Sequence, residues 1–179
     1  MVNTLYLPEL REMLADGNSA ELNDFCVTLN AGRTAEFMEG LEDADLWAVL
    51  QHADPDRRAE IFSYFDEQRQ VELLLTQEPS EVASLIDNVP SDDRVDLIQQ
   101  LPTERVQTIL PLLPTEDRRD IQRLRSYSEG TAGALMTSEV AMLSETLGVR
   151  DALDELGSQA SDLETIYYLY VVDDDKLLR

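Results

Sequence analysis

Carboxylates are the side chains with which this chain could do chemistry. Aspartate and glutamate supply 37 of its 179 residues, against thirteen arginines and the single lysine Lys176, for a net charge of −23. Two kinds of chemistry use such groups. A hydrolytic carboxylate pair needs a cleft and a contrast in pKa that spacing along a chain does not supply. Acids gathered on one face attract cations, and others simply solvate helix faces, as in salt-adapted chains. The same field repels nucleic acid and anionic lipid, so neither is an expected partner. Catalysis by other groups has no footing. His52 has no cysteine beside it and no serine in a nucleophile-elbow setting, so it reads as a corner histidine. There is no P-loop, no GxGxxG and no paired Cys or His at zinc spacing. The lone Cys26 cannot form an internal disulfide and lies on an apolar stripe, as a buried thiol of an intracellular chain would. The sequence does not read as an enzyme.

The elements that carry these acids are short and repetitive. Pro90, Pro102 and Pro114 stand twelve residues apart, and each is followed by Ser or Thr, then acids, then apolar residues three or four apart. That order predicts a helix start: a hydroxyl N-cap, carboxylates in a first turn where the dipole is positive, then a buried stripe. Twelve residues hold a helix of about two to three turns and a corner. Looser versions begin at Arg33, Asp43, Asp54-Pro55, Asp66 and Pro79. Arg118, Arg119, Arg123 and Arg125 crowd the last repeat, where helix carbonyls and acids favour them. Helices this short are marginal alone and must bury their stripes on neighbours, which is the logic of a solenoid. Two longer stripes, Tyr6–Leu14 ending at Asp16-Gly17 and Leu22–Leu29, suit a terminal cap. The predicted fold class is mainly α, a right-handed superhelical array of roughly ten short helices over residues 1–125.

After Leu124 the pattern changes. Residues 126–134, with Gly130 and Gly133, read as a linker. Leu147–Leu156 predicts a helix with Val149, Ala152, Leu153 and Leu156 on one side. Thr165–Val172 is aromatic and β-branched without interruption and ends at Asp173-Asp174-Asp175, which predicts a strand buried on both faces. No run approaches the roughly 18 apolar residues of a membrane span, and no leader precedes the first helix, so the chain is expected to be soluble.

At Glu129-Gly-Thr-Ala-Gly-Ala-Leu-Met-Thr137 and Glu164-Thr-Ile-Tyr-Tyr-Leu-Tyr-Val-Val-Asp173 the chain resembles the cytosolic region of MgtE-family magnesium transporters. The resemblance covers the whole chain. It implies a superhelical domain followed, at 135–179, by the first half of a CBS motif, an incomplete α/β fragment. It also implies a soluble fragment at the cytoplasmic face of the membrane. Its partners would be the remaining CBS, connecting-helix and transmembrane parts, in a homodimer. The implied ligand is Mg²⁺, which bridges acids at high concentration and holds the pore closed. Carried over by pattern, the acidic positions are Glu60, Asp92, Asp93 and Asp96. Asp96 lies four residues after Asp92 and three after Asp93, so they share a helix face, where like charges cost about 0.2–0.5 kcal/mol. A cation compensates that cost, and so does hydration; helix-dipole complementarity also accounts for Asp92 and Asp93, and Glu60 reads equally well as an exposed helix acid. CBS modules often bind adenine nucleotides, which singles out Tyr168, although an aromatic in a strand also serves as core. A competing reading is a free-standing helical adaptor that binds protein on its concave face, like flagellar-switch or armadillo-like arrays. An acidic nucleic-acid mimic is a third, which the regular capping and repeat spelling disfavour.

Overall fold

The computed structural model describes residues 6–127, 130–133, 136, 140–160, 163 and 166–179, the side chains of Ser91 and Asp92 excepted. Ten α-helices come first: α1 Leu7–Asp16, α2 Ser19–Thr28, α3 Ala31–Met38, α4 Asp43–Leu50, α5 Pro55–Ser63, α6 Glu67–Thr76, α7 Pro79–Asp87, α8 Ser91–Gln100, α9 Thr103–Ile109 and α10 Thr115–Leu124. A 3₁₀ turn, Leu110–Leu112, extends α9. None exceeds 10 residues, so intrahelical bonding alone would not hold them. Their stability comes from a continuous core that runs from Leu7 to Leu124 and includes Leu10, Met38, Leu46, Ile61, Phe62, Leu73, Leu74, Ile86 and Ile98. Packing skips one helix: α3 meets α5, α5 meets α7 and α7 meets α9, while α6 meets α8 and α8 meets α10. The array is therefore built as two interleaved rows, in which α4, α5, α7, α8, α9 and α10 each lie on the helix two places back.

The corners are made in two ways. In the first half, Asn18, Asn30, Asp54 and Asp66 accept the backbone N–H three residues on, at 3.4, 2.9, 2.9 and 3.0 Å, as side-chain N-caps do. In the second half the expected hydroxyl caps do not form. Pro90, Pro102 and Pro114 themselves occupy the N-cap position, with φ near −50° and no side-chain cap bond. Ser91, Thr103 and Thr115 thus fall inside the helix, because the fixed proline φ begins each turn one residue earlier. Gly17 ends α1 at φ 65°, where its N–H and that of Asn18 bond the carbonyls of Leu14 and Met13.

Beyond the array, β1 (Ala141–Ser144) and β2 (Leu169–Val172) form a two-stranded parallel sheet in the register Ala141↔Leu169 to Ser144↔Val172. The crossover carries α11 (Val149–Gln159), as a parallel pair requires. The final residues turn back, with Leu178 bridging Val172 and Arg179 bonding Asp173 at 2.6 Å. Two expectations are corrected here. The strand is four residues rather than eight, with Thr165 outside the described residues and Tyr167 and Tyr168 exposed before it. It is also not buried: Leu169 and Val171 face outward, and Val149 and Leu153 of α11 are 82% and 63% exposed. Uninterrupted apolar sequence records what could cover a strand, and no element among the described residues covers this one.

Leu46→Ala should lower unfolding free energy by about 2–5 kcal/mol in urea titrations, since Leu46 is fully buried. Val149→Ala, at an exposed position, should stay within about 0.5 kcal/mol of the parent.

Candidate cation site

Most corners of the array turn helix carbonyls toward arginines. Arg57 donates from Nε to the Cys26 carbonyl at 2.8 Å and from Nη2 to that of Leu29. Arg105 repeats this on Leu74 at 2.9 Å and on Gln77. Arg69 reaches the Leu41 carbonyl at 2.6 Å and Asp43 at 2.9 Å. Arg58 holds the carbonyls of Leu50 and Ala53, both at 3.1 Å. Arg94, 4% exposed, donates to Asp87 and Val89 carbonyls and to Asp117 Oδ1 at 2.7 Å. A buried guanidinium with its donors met by carbonyls and a carboxylate is charge-balanced and oriented.

Around Arg94 two carboxyls meet. Burial, then the hydrogen bond and charge of Asp117, raise the Asp87 pKa above its usual value, while Arg94 pulls it down. Near α2, burial pushes the Cys26 thiol up to about 11 against the opposing pull of Arg57 and Arg58. Its Sγ lies 3.6 Å from the Val49 carbonyl, the inert setting its apolar stripe implied. His52 sits half-buried at its corner, where its carbonyl accepts from Asn23 at 2.7 Å.

The acids singled out by sequence divide. Asp93 and Asp96, on the outward face of α8, line one cleft of about 240 Å³. Its other walls include Glu67 and Gln70 of α6, Phe62 of α5 and Phe65 at the corner that follows. The C-terminal end of α5 adds a partial negative charge there. Glu60 is exposed on α5, does not line the cleft and pairs with Arg57 at 2.5 Å. Asp92 lies in the first turn of α8, and its side chain is outside the described residues. Among those described, no three acidic, histidine or cysteine groups converge closely enough to cage a metal. The donors on offer are hard oxygens in ones and twos beside water, the arrangement Mg²⁺ accepts. Tyr168 is 75% exposed just ahead of β2. Sequence reading missed the corner arginines and Glu67; recurrence of arginine at 57, 69 and 105, in multiples of twelve, was the available signal.

An acid-faced array of two- to three-turn helices with guanidinium-held corners, followed by a small parallel β–α–β unit, defines a class of helical-array domain. The MgtE intracellular N domain model matches residues 29–130. The chain belongs to that family. The magnesium transporter MgtE of Enterococcus faecalis is 36% identical over 171 residues, which cover 94% of this chain and 38% of the relative. That of Thermus thermophilus is 29% identical over 173 residues, covering 95% and 38%. This chain thus spans just over a third of the length of these relatives. Among solved structures, the soluble part of a magnesium transporter superposes with a TM-score of 0.83 at 29% identity, over 96% of this chain and 68% of that one. The cytosolic domain of the Mg²⁺ channel MgtE in complex with ATP gives 0.80 at 29% identity, over 95% and 70%. No helix among the described residues is long and apolar enough to cross a membrane.

Arg94→Met should cost about 3 kcal/mol, the low end for breaking a buried pair because Asp117 is partly exposed; urea titration measures it. Asp87 favours its protonated form in the fold, so its contribution is full below the ordinary value of 3.8 and is lost as pH rises through the raised one. Asp87→Asn should therefore gain stability relative to the parent as pH rises from about 4 to about 7, in thermal melts across that range.

Proposed function

We propose that this chain is the cytosolic regulatory part of a magnesium transporter, which senses intracellular Mg²⁺ through surface acids and helps close the pore when Mg²⁺ is high. The observation that supports it best is the cleft that brings Asp93 and Asp96 together on the open side of α8. Asp92, one turn from Asp96 on that helix, and Glu60 on α5 complete the proposed acidic face. One or two carboxylates and retained water suffice for Mg²⁺. The other ligands would come from further parts of the transporter, and binding by this chain alone would be weak. When the ion leaves, the acids repel those facing them and the parts separate. In this reading residues 1–125 form the sensor arm, 126–134 a connector and 135–179 the first half of a CBS motif within a homodimer. The description of one structural neighbour as an ATP complex supports the further proposal that the exposed ring of Tyr168 contacts a nucleotide.

Thermal melts in MgCl₂ and in NaCl of matched ionic strength test the ion site, since screening of a −23 field also stabilises. A dissociation constant of about 1 mM would add about 1.4 kcal/mol at about 10 mM Mg²⁺, a rise of a few degrees. Asp92→Asn with Asp96→Asn should remove the magnesium-specific part and keep the sodium response. Equal responses of parent and double variant to Mg²⁺ would sink the assignment.

A further inference from the structure

Two glycines make residues 126–134 read as a linker in sequence, and each of them has another reason to be glycine. Gly130 has φ 76°, in the left-handed region that favours this residue. Gly133 lies against the ring of Tyr127. A Cβ added there would sit 2.5, 2.6 and 2.8 Å from Cδ1, Cγ and Cε1 of that ring, closer than real Cβ atoms come. The bare Cα lets an aromatic face rest on the backbone, which is a close approach and not a source of flexibility.

This clasp is anchored on both sides. Upstream, α10 packs on α8 and is tied to it by Asp117 on Arg94 at 2.7 Å. Past the helix end the backbone stays bonded: the N–H groups of Arg125, Ser126 and Tyr127 donate to the Ile121, Arg123 and Leu124 carbonyls at 3.0, 3.1 and 3.1 Å. The Ser126 hydroxyl donates to the Arg123 carbonyl as well, at 2.6 Å. Tyr127 therefore leaves α10 in a fixed direction. Downstream, Met136 is half-buried and packs against the core of the array. Four residues, 137–140, then precede β1, on which α11 lies.

We infer that Tyr127, Gly133 and Met136 make the passage from α10 to β1 a rigid coupling, through which a rotation of the array turns the β–α–β unit. A flexible connection over the same span would lose that rotation. Freed, the stretch from Tyr127 to Met136 would let its ends wander over roughly 15–18 Å. Fastened at the ring and at Met136, both ends move with the array. The ring contact is apolar and Tyr127 is 41% exposed, so a single substitution can open it without reaching the core. The inference goes beyond the magnesium reading and does not rest on it, since any ligand that moves the array would act through the same joint.

Double electron–electron resonance on the whole chain tests it, with nitroxides on Gln107→Cys of α9 and Val149→Cys of α11, both exposed positions. Cys26 is buried and stays unlabelled. No Mg²⁺ is added, so failure here leaves the magnesium reading standing. The labelled parent should give one narrow distance distribution. Gly133→Ala drives a methyl into the ring and Tyr127→Ala removes the ring, and each should broaden the distribution at least about twofold, toward the span of a free linker. Tyr127→Phe should keep it narrow, because the ring and not the hydroxyl makes the contact. Tyr127→Ala combined with Gly133→Ala should be no broader than either alone, since both open one clasp. Thermal melts check that each variant keeps the folded array; should Gly133→Ala not fold, Tyr127→Ala and Tyr127→Phe decide. The proposal is overturned if the parent is already as broad as Tyr127→Ala, if a folded Tyr127→Ala or Gly133→Ala chain stays narrow, if Tyr127→Phe broadens, or if the double variant exceeds both single ones.

Discussion

Helices of two to three turns leave a large share of their carbonyls at their ends, and in this array those ends face the interior. Many are partly buried, and a short helix has few internal bonds with which to tolerate an unmet acceptor. Guanidinium groups meet that demand: Arg57, Arg58, Arg94 and Arg105 each span two carbonyls of one corner, and Arg57 and Arg105 do so from a helix well over twenty residues downstream. The interleaved rows follow from this. A helix lies on the one two places back through apolar side chains, and an arginine that threads between rows ties it to the end of the one three places back. Arg69 shows how strict the geometry is. Its Nη2 finds Leu41, while its Nε is a buried donor with no hydrogen-bond partner; Met38 occupies the position equivalent to Cys26 and Leu74.

That use of arginine also reshapes the electrostatics. Arg57, Arg58, Arg69, Arg94, Arg105 and Arg118 all point guanidinium groups at backbone oxygens. Six of the chain's fourteen cationic side chains are thus turned toward its backbone, and the acids dominate its outside. On the outward face of α8 those acids include Asp93 and Asp96.

Much of this was legible in the sequence. The twelve-residue lines gave the helices, the Asp16-Gly17 stop gave the end of α1, and the shift after Leu124 marked the change of architecture. Asp93 and Asp96 were placed on one face by spacing, and they do share a cleft. Glu60 was not brought to them, because its nearest cation, Arg57, lies one turn away on its own helix. The arginine clamps were not legible, since a separation of 28 or 31 residues has meaning only once helices stack two apart. β1 escaped notice because four residues, Ala141–Ser144, give too short a period to separate strand from loop. The misplaced hydroxyl caps have a similar origin: proline and the residue after it both suit a helix start, and backbone geometry chose the proline.

A clamp that spans 28 residues ties the count of residues in one helix to that in the next two. Surface loops in most proteins absorb insertions and deletions cheaply. Here one residue added within α9 ahead of Arg105 would rotate it by about 100° around the helix, away from its carbonyls, at 3.6 residues per turn. The array can therefore drift in side-chain identity at its exposed positions, but its register can change only by whole repeats.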